Sequence, residues 1–332
     1  MKVMIIESVH ASAVELLAKS AEVVFPEPQN LEGILKAIVD CDGLIARGTA
    51  VSREVMLAGP KLKAIGRHGV GYDSVDIAAA TELRIPVVYT PAANTESVAE
   101  LAAGFIICAG RKIIEANRFM QSEKLLSDTV TMQAMTKRVG LVNANIGGKT
   151  LGIIGVGRIG SLIAQKMIAG FNMKVLGYDP YVDEKTLAGY GVKKVDRLED
   201  MLPLCDFVSL NCPGGAETRK MINAATLALM KPNAYLINTA RGSVVDEEAL
   251  VKAVRSKKIA GAATDVFDPE PPVQGSPITH EDAIIVTPHI GAQTEESLIN
   301  MGRVVVQEVL SVLEGRKPQF FVNPEVWEKR RK

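Results

Sequence analysis

Short apolar runs alternate with stretches of helical spacing along most of the chain. In the first third, five short and mostly apolar runs are typical of buried strands, and they cover residues 2–7, 22–25, 43–47, 63–67 and 86–90. The segments between them, such as 11–20 and 31–41, carry apolar residues at the helix period. Strands that alternate with helices predict a doubly wound parallel sheet.

The same pattern restarts at Thr150. Further strand-like runs cover residues 150–155, 173–179, 206–211, 234–240, 261–267 and 283–288. Between the two halves, residues 97–119 have helical spacing and an unusually apolar first half, so we expect one long helix buried nearly all round, in its own core or against another subunit. Residues 120–148 are polar and predict a linker with a short helix. An amphipathic helix is expected over about 295–314, followed by an extended tail.

A glycine loop, GVGRIG, follows the first strand of the second half and opens a helical segment. That position between strand and helix raises a GxGxxG match above chance. Gly155 would form the tight turn, Gly157 would admit a pyrophosphate close to the backbone, and Gly160 would let helix pack on strand. The helix N-terminus would offer amide groups to the phosphates. A dinucleotide site is therefore expected in the second sheet.

Asp179 stands nineteen residues after Gly160, at the end of the next strand-like run. An acid at this place hydrogen-bonds the adenosine ribose, and it would repel a 2'-phosphate. No arginine occurs over residues 178–183. The cofactor is therefore expected to be NAD rather than NADP.

Arg241, Glu270 and His289 each follow one of the later apolar runs. Each has a structural alternative: a helix cap for the arginine, a loop charge for the glutamate and a buried, satisfied histidine. Together they favour chemistry, because ligands of open α/β sheets bind outside the carboxyl ends of the strands. Histidine is a natural proton donor near neutral pH, and arginine matches a carboxylate with its planar fork. The trio predicts hydride and proton transfer at a carbonyl.

Length, charge and cysteine content narrow the classes of protein to which the chain can belong. At 332 residues, two domains are expected. The 38 basic and 38 acidic side chains cancel, which argues against nucleic-acid binding. Four cysteines without a CxxC pair fit reduced thiols, and we find neither a signal segment nor a run of 18 apolar residues. A cytoplasmic protein without a membrane partner is expected, and no metal site is predicted.

Six ordered motifs across nearly the whole chain carry a resemblance to a known family. They are GRHGVGYDSVD (66–76), TPAANTESVAEL (90–101), GKTLGIIGVGRIG (148–160), NTARGSVVDEEAL (238–250), DVFDPEPP (265–272) and TPHIGAQT (287–294). The chain resembles the D-2-hydroxyacid dehydrogenases, specifically their phosphoglycerate dehydrogenase-like branch. The resemblance implies that Arg241 binds the substrate carboxylate and carbonyl, that Glu270 pairs with His289, and that His289 is the acid/base.

The resemblance implies further roles around the site. Arg158 and Ile159 would cover the pyrophosphate, Thr239 and Asp265 would contact the nicotinamide end, and Val70 and Gly71 would offer amides to the substrate carboxylate, with Asn94 in the same cleft. The remaining expected cofactor contacts are Asn211, Cys212, Pro213, Thr218, Ala240 and Gly291. Many relatives have a histidine where this chain has Asn211.

The domain layout is also implied by the resemblance. A Rossmann NAD-binding domain, 97–291, would be inserted into a flavodoxin-like substrate domain made of 1–96 and 292–332. The family forms dimers through the helix that begins near Ser97, so a homodimer is expected. Residues 121–146 form a longer segment than is usual in the family and lack a tryptophan that many relatives carry there. The chain ends at Lys332, which leaves no room for the C-terminal regulatory domain of longer relatives, so serine feedback through such a domain is not expected.

The expected activity is an NAD-dependent D-(R)-2-hydroxyacid dehydrogenase that also works as a 2-keto acid reductase. The resemblance also implies that the loop 67–71 closes onto the cofactor domain. Arg47, with Arg67 and His68 at that loop, favours a C3 acid with an anionic or polar third carbon, such as 3-phosphoglycerate, phosphohydroxypyruvate, hydroxypyruvate or glycerate. The alternative for these arginines is a bridge between domains. Other possible activities are a glyoxylate or sulfopyruvate reductase, a formate or phosphite dehydrogenase, and an NAD-sensing scaffold that resembles C-terminal-binding corepressors.

Overall fold

The chain forms two compact units, and each unit contains one parallel sheet. The structure is a computed structural model that describes residues 1–122 and 131–331. One unit comprises Met1–Asn94 and Ala292–Lys332, and the other comprises Thr95–Gly291. The first unit thus ends at Asn94, two residues before the expected boundary at 96. The chain returns to it directly after Gly291, as expected.

The first unit has a five-stranded sheet with all strands parallel, in the order β2-β1-β3-β4-β5. This 2-1-3-4-5 order is the flavodoxin-like form of the doubly wound fold, so the predicted fold class is confirmed for this unit. The strands are β1 (Lys2–Ile5), β2 (Glu22–Val24), β3 (Gly43–Ala46), β4 (Ala64–Arg67) and β5 (Val87–Val88). The helices of this unit are α1 (Ala11–Ala18), α2 (Leu31–Ala37), α3 (Arg53–Ala58), α4 (Ile77–Glu82) and, late in the chain, α13 (Glu295–Leu313).

Local sequence explains where these helices begin and how α13 packs. Asn30, Ser52 and Asp76 each accept a hydrogen bond from a backbone N–H of the first turn, which satisfies donors that a helix N-terminus leaves unpaired. On the sheet, a Cβ at Gly66 would lie 2.6 Å from the Val309 side chain of α13. The absence of that Cβ lets α13 lie directly on β4.

The C-terminal tail continues the first sheet as a short antiparallel partner of β5. Val88 pairs with Phe321, and the N–H of Val322 donates to the carbonyl of Val87 at 2.8 Å. The buried side chain of Asn323 accepts from the Val87 N–H at 2.9 Å. The sequence predicted only that the tail is extended. In the structure the tail covers the edge strand β5, where backbone groups would otherwise remain unpaired.

The second unit has a seven-stranded parallel sheet in the order β12-β11-β10-β9-β6-β7-β8. Its first six strands follow the Rossmann order 3-2-1-4-5-6, which confirms the predicted fold class. The strands are β6 (Thr150–Ile154), β7 (Lys174–Tyr178), β8 (Val192–Lys194), β9 (Phe207–Leu210), β10 (Tyr235–Asn238), β11 (Gly261–Thr264) and β12 (Ile284–Val286). The sequence pattern missed β8, because this edge strand has three residues and two of them are lysines.

The helices of the second unit differ from expectation at one place. They are α5 (Thr95–Gly110), α6 (Ile113–Gln121), α7 (Met132–Arg138), α8 (Arg158–Phe171), α9 (Glu184–Gly189), α10 (Leu198–Met201), α11 (Ala224–Leu229) and α12 (Glu247–Arg255). The prediction of a single helix over 97–119 is wrong. The segment forms two helices, α5 and α6, which are separated where Lys112 takes a left-handed backbone with φ 49°. Part of the predicted linker, residues 123–130, lies outside the described residues.

Helix α5 packs one face inside its own unit. Ala99, Ala102 and Ile106 are fully buried in a cluster with α8 and the sheet, whereas Leu101, Ile107 and Cys108 are only partly buried. Burial all round is therefore not reached within one chain. Within the described ranges, no helix has the length and apolar character needed to cross a membrane.

Candidate active site

The carboxyl edge of the seven-stranded sheet collects the chemically important residues of the second unit. Because the strands are all parallel, their carboxyl ends lie at one edge, where ligands of such sheets bind. From β12 to β7 in sheet order, the residues that follow the strand ends are His289, Asp265 with Glu270, Thr239 with Arg241, Asn211, Gly155 and Asp179. Residues dispersed over more than 130 positions of the chain thus share one edge.

The three glycines of the loop have different tasks. Gly155 has a left-handed backbone with φ +85°, and a Cβ there would lie 2.7 Å from the Cys212 nitrogen. A Cβ at Gly160 would collide with the carbonyl of Gly155. A Cβ at Gly157, in contrast, would meet no atom within 4 Å. Two glycines are therefore required by the fold itself, whereas Gly157 leaves open space at the start of α8.

The residues around this loop fit a dinucleotide. The N-cap of α8 is Gly157, which makes no side-chain cap, so the first N–H groups of α8, from Arg158 and Ile159 onward, are available to an anion. Asp179 is nearly buried, and it accepts from the amide of Val156 at 2.9 Å, which ties the acid to the glycine loop.

Two buried oxygen atoms further along the edge have no hydrogen-bond partner within the described part of the chain. They are the hydroxyl of Thr239 and the side-chain carbonyl of Asn211. Buried polar atoms are normally satisfied, so these two are suited to a polar ligand. The Asn211 amide nitrogen, in turn, donates to Ser209.

His289 and Glu270 form the closest ionisable pair at this edge. The Nδ1 atom of His289 is hydrogen-bonded to an Oε atom of Glu270, and about half of the histidine side chain remains exposed. Burial acts to raise the pKa of Glu270, but the bond and charge of His289, the Phe267 amide and the Arg241 charge together hold that pKa below its usual value. The glutamate is therefore a carboxylate that orients the histidine and leaves Nε2 for another partner.

Asp265 holds the turn that carries His289. Its carboxylate accepts from the Thr287 hydroxyl at 2.5 Å and from the amides of Ile290 and Gly291, each at 2.7 Å. The amide of His289 donates to the carbonyl of Asp265 at 3.0 Å, and His289 has a left-handed backbone with φ 54°. A non-glycine residue in this region is uncommon and needs support from its surroundings. Asp265 and Gly291, predicted as cofactor contacts, supply that support.

Arg241 is brought towards Glu270 by a close approach of two loops. A Cβ at Gly242 would collide with the backbone of Phe267, so glycine lets the turn after β10 lie against the segment that leads to Glu270. Asn238, at the end of β10, accepts from the amide of Ala240 at 3.0 Å and donates to the carbonyl of Arg241 at 2.9 Å. The guanidinium of Arg241 itself donates to the Ala240 carbonyl at 2.7 Å.

Three more predicted cofactor residues lie in the loop after β9. The Cys212 side chain is buried, and burial raises the pKa of its thiol to about 11, so it stays neutral near pH 7. Pro213 is exposed, and the hydroxyl of Thr218 donates to the Pro213 carbonyl at 2.8 Å. In this structure Thr218 shapes the loop, and the predicted contacts of all three with a cofactor stay predictions.

The first unit has its own polar edge, formed after β1, β3 and β4. The carboxylate of Glu7 accepts from the backbone amides of Arg47, Gly48 and Thr49, which fixes the loop that follows β3. Burial first, then the charges of Arg47 and Arg67, lower the pKa of His68 to about 4. Two arginine charges therefore act on a neutral, buried histidine at this edge, and the Glu7 charge partly opposes them.

Several groups at the first unit's edge lack partners within the described residues. Both ring nitrogens of His68, the hydroxyl of Thr90 and the side-chain oxygen of Asn94 are buried without a hydrogen bond. The backbone N–H groups of Val70 and Gly71, expected to bind a carboxylate, also donate to no group in the described ranges. The structure therefore brings Arg47, His68 and the loop 67–71 to one edge of this sheet.

Sequence reasoning missed the residues that hold the site in place. Asn238 and Thr287 orient the Arg241 and His289 turns, and Glu7 orients the loop of Arg47. The first two stand inside the motifs NTARG and TPHIG, so their position next to a functional residue was the available signal. Glu7 had only its place at a strand end.

Comparison with known proteins identifies the family. Residues 103–291 match the model of the D-isomer specific 2-hydroxyacid dehydrogenase NAD binding domain. The chain is 38% identical to the D-3-phosphoglycerate dehydrogenase of Methanocaldococcus jannaschii over 323 residues, which cover 97% of this chain and 59% of that protein.

Two solved structures superpose on almost the whole chain. The TT0316 protein of Thermus thermophilus has a TM-score of 0.86 at 32% identity, covering 97% of this chain and 100% of that one. D-mandelate dehydrogenase of Rhodotorula graminis has a TM-score of 0.85 at 25% identity, covering 97% of each chain. The predicted family is therefore confirmed, although the chain spans about three fifths of the length of the phosphoglycerate dehydrogenase it matches. This chain belongs to the D-isomer specific 2-hydroxyacid dehydrogenases, and it contains their NAD-binding domain.

Proposed function

We propose that this protein is an NAD-dependent D-(R)-2-hydroxyacid dehydrogenase, able to run in reverse as a 2-keto acid reductase. The observation that carries the proposal is the His289–Glu270 pair at the ends of β12 and β11, with Arg241 at the end of neighbouring β10. An acid/base group, its orienting carboxylate and a carboxylate-binding cation are the side chains this reaction needs. Family membership supports the same activity.

In the reductive direction, NADH held by the glycine loop and Asp179 would supply a hydride to C2 of a 2-keto acid. His289 donates a proton from Nε2 to the carbonyl oxygen, so that the keto group becomes a hydroxyl group. Glu270, bonded to Nδ1, keeps the ring in the orientation that presents Nε2. Arg241 binds the substrate carboxylate and polarises the carbonyl. In the oxidative direction, His289 accepts the hydroxyl proton.

For the substrate, we propose a C3 acid with an anionic or polar third carbon, such as 3-phosphoglycerate or hydroxypyruvate. The support comes from the first unit, where the charges of Arg47 and Arg67 both act on His68 and the amides of Val70 and Gly71 are available. Asn94 would add a polar contact. The 38% identical protein named D-3-phosphoglycerate dehydrogenase is consistent with this choice.

A substrate panel tests the reaction and the choice of acid together. NADH oxidation is followed spectrophotometrically with phosphohydroxypyruvate, hydroxypyruvate, glyoxylate, pyruvate and sulfopyruvate, ranked by kcat/KM. We expect the acids with an anionic or polar third carbon to rank first. Arg47→Met should lower kcat/KM for the anionic acids by about tenfold or more, the size of one lost charged hydrogen bond, and should leave pyruvate nearly unchanged.

Arg53→Met is the matched control, because Arg53 is an exposed arginine of α3 paired with Glu82. Equal losses with both variants would reject the role of Arg47. A leading rank for glyoxylate or pyruvate would reject a substrate with an anionic or polar third carbon. No turnover of any acid at saturating NADH would reject the dehydrogenase, and would favour the NAD-sensing scaffold if a partner protein is then captured.

Two further expectations accompany this proposal. We propose a homodimer, supported by the partly buried apolar positions of α5 and by the exposed Ile113 and Met120 on α6. We also propose a cytoplasmic location. The mass in solution, measured by light scattering, tests the first, and fractionation of the source cells tests the second.

A further inference from the structure

An exposed hydrogen bond joins the loops that follow β7 and β9. The hydroxyl of Tyr181 donates to the carboxylate of Glu217 at 2.5 Å. In the sheet, β6 lies between β7 and β9, and β6 leads into the glycine loop. The Tyr181–Glu217 bond therefore spans the strand that delivers the phosphate-binding turn. Nothing in the roles assigned so far to the glycine loop or to the catalytic trio uses either residue.

Tyr181 is bonded to two carboxylates at once. Its backbone N–H donates to Asp179 at 2.9 Å, while its hydroxyl reaches Glu217. The bond that the hydroxyl donates to Glu217, the charge of Glu217 and the charge of Asp179 all raise the pKa of the phenol, so both acids act on the same ring. The Tyr181 side chain is 79% exposed, and a hydrophobic packing role does not explain its position.

We infer that Glu217, held in place by Tyr181, is a second carboxylate beside Asp179 and that the two together select NAD over NADP. The inference rests on the proposed position of the adenosine ribose at Asp179. NADP differs from NAD by a 2'-phosphate, which carries up to two negative charges and is repelled by each carboxylate nearby. Asp179 supplies the ribose contact, and Glu217 adds repulsion from the other side of the glycine loop.

Two local cations contact groups other than Glu217. Lys194, on the neighbouring edge strand β8, donates to the carbonyl of Val182 at 2.8 Å, and Arg219 lies 3.6 Å from Asp268. Because Glu217 is exposed, its repulsion acts through water and is weakened by salt. We therefore expect a modest effect that is largest at low ionic strength.

Nucleotide binding without substrate tests this inference. Dissociation constants for NADH and NADPH are measured by nucleotide fluorescence at low and high salt for the wild type, Glu217→Gln, Tyr181→Phe and Glu184→Gln. Glu184→Gln is the matched control, because Glu184 is an exposed carboxylate in the first turn of α9 and its change removes the same charge. Glu217→Gln should tighten NADPH binding by roughly three- to tenfold at low salt, and leave NADH within about twofold.

Tyr181→Phe should give a smaller gain for NADPH, because the charge stays and only its position is released. In high salt, the gain in NADPH affinity of Glu217→Gln should shrink towards twofold or less, because the Debye length becomes shorter than the distance over which an exposed carboxylate acts. Equal effects on both nucleotides, no effect of Glu217→Gln, or the same gain with Glu184→Gln would each overturn the inference. Failure of the wild type to bind NADH at all would instead reject the proposed function, so the two failures are distinguishable.

Discussion

The carboxyl edges of the two sheets differ in how their polar groups are satisfied. At the seven-stranded edge, the groups around the catalytic trio are held by hydrogen bonds: Glu270 binds His289, Asp265 accepts three bonds, and Asn238 bridges its own turn. At the five-stranded edge, His68, Thr90 and Asn94 are buried with unsatisfied atoms among the described residues. Preorganised groups suit a reaction whose geometry is the same for every substrate.

This difference suggests that the seven-stranded edge carries the residues of the reaction and that the five-stranded edge carries the residues that select the substrate. Buried polar atoms without partners cost free energy unless a ligand supplies the missing bond. The unsatisfied oxygens of the seven-stranded edge, on Thr239 and Asn211, are the ones expected to contact the cofactor. The five-stranded edge therefore has more to gain from a polar substrate group. The comparison makes three predictions, which decrease in expected effect.

The largest effect is expected at the preorganised edge. His289→Ala should lower kcat by about 10²- to 10⁴-fold, the usual contribution of a positioned acid/base, and should leave NADH affinity and the thermal midpoint nearly unchanged. Steady-state kinetics, fluorescence titration and calorimetry measure the three quantities. His280→Ala, at an exposed histidine of the same unit, is the control. A variant that loses stability in proportion to activity would show that His289 has only a structural role.

The second effect is expected at the unsatisfied edge, as a dependence of stability on pH. His68 has a pKa of about 4 in the folded protein, against an ordinary 6.5, mainly because it is buried. Between these values the unfolded chain binds a proton that the folded chain does not, so stability falls as pH falls from 6.5 towards 4, by on the order of 3 kcal/mol in total.

His68→Gln should therefore flatten the pH dependence of the unfolding midpoint in this window, measured by urea titration at several pH values. His280→Gln controls for a histidine that is exposed. If His68→Gln and the wild type lose the same stability between pH 6.5 and pH 4, His68 is not the group responsible.

The smallest effects are expected in the glycine loop, where one substitution should weaken NADH binding and another should lower the stability of the fold. Gly157→Ala should fold normally, because its Cβ meets no atom within 4 Å, yet should weaken NADH binding by about tenfold, or 1.4 kcal/mol. Gly160→Ala should destabilise the fold by about 1–3 kcal/mol, because its Cβ collides with the Gly155 carbonyl. Thermal midpoints and NADH titrations of the two variants provide the comparison, and equal midpoints would contradict it.

Much of the fold was predictable because buried parallel strands leave a local pattern. All five strands of the first sheet and six of the seven in the second coincide with short apolar runs. The exceptions have physical reasons. Strand β8 lies at an edge and carries two lysines. The break between α5 and α6 depends on a left-handed backbone at Lys112, a residue type that does not predict that conformation, although α5 ends at Gly110.

The candidate site was predictable as a set of residue types, and less so as an arrangement. Gly155, Gly157 and Gly160 were recognisable from their spacing between a strand and a helix. The support given by Thr287 and Asp265 was not. The Asp265 carboxylate, after β11, accepts from the Thr287 hydroxyl and from the Ile290 and Gly291 amides, after β12, and these two strands become neighbours only in the folded sheet. The Tyr181–Glu217 bond joins residues 36 positions apart, and nothing in their sequence spacing suggested it.

The sequence by itself determined the class of fold, the glycine loop and the kinds of side chain available for the reaction, because burial periodicity and backbone requirements are local properties. Only the tertiary structure decided that β10, β11 and β12 are neighbours, so that Arg241, Glu270 and His289 follow adjacent strand ends. It also decided which polar groups are satisfied and which are not. Those properties arise from contacts between distant segments, which no local pattern records.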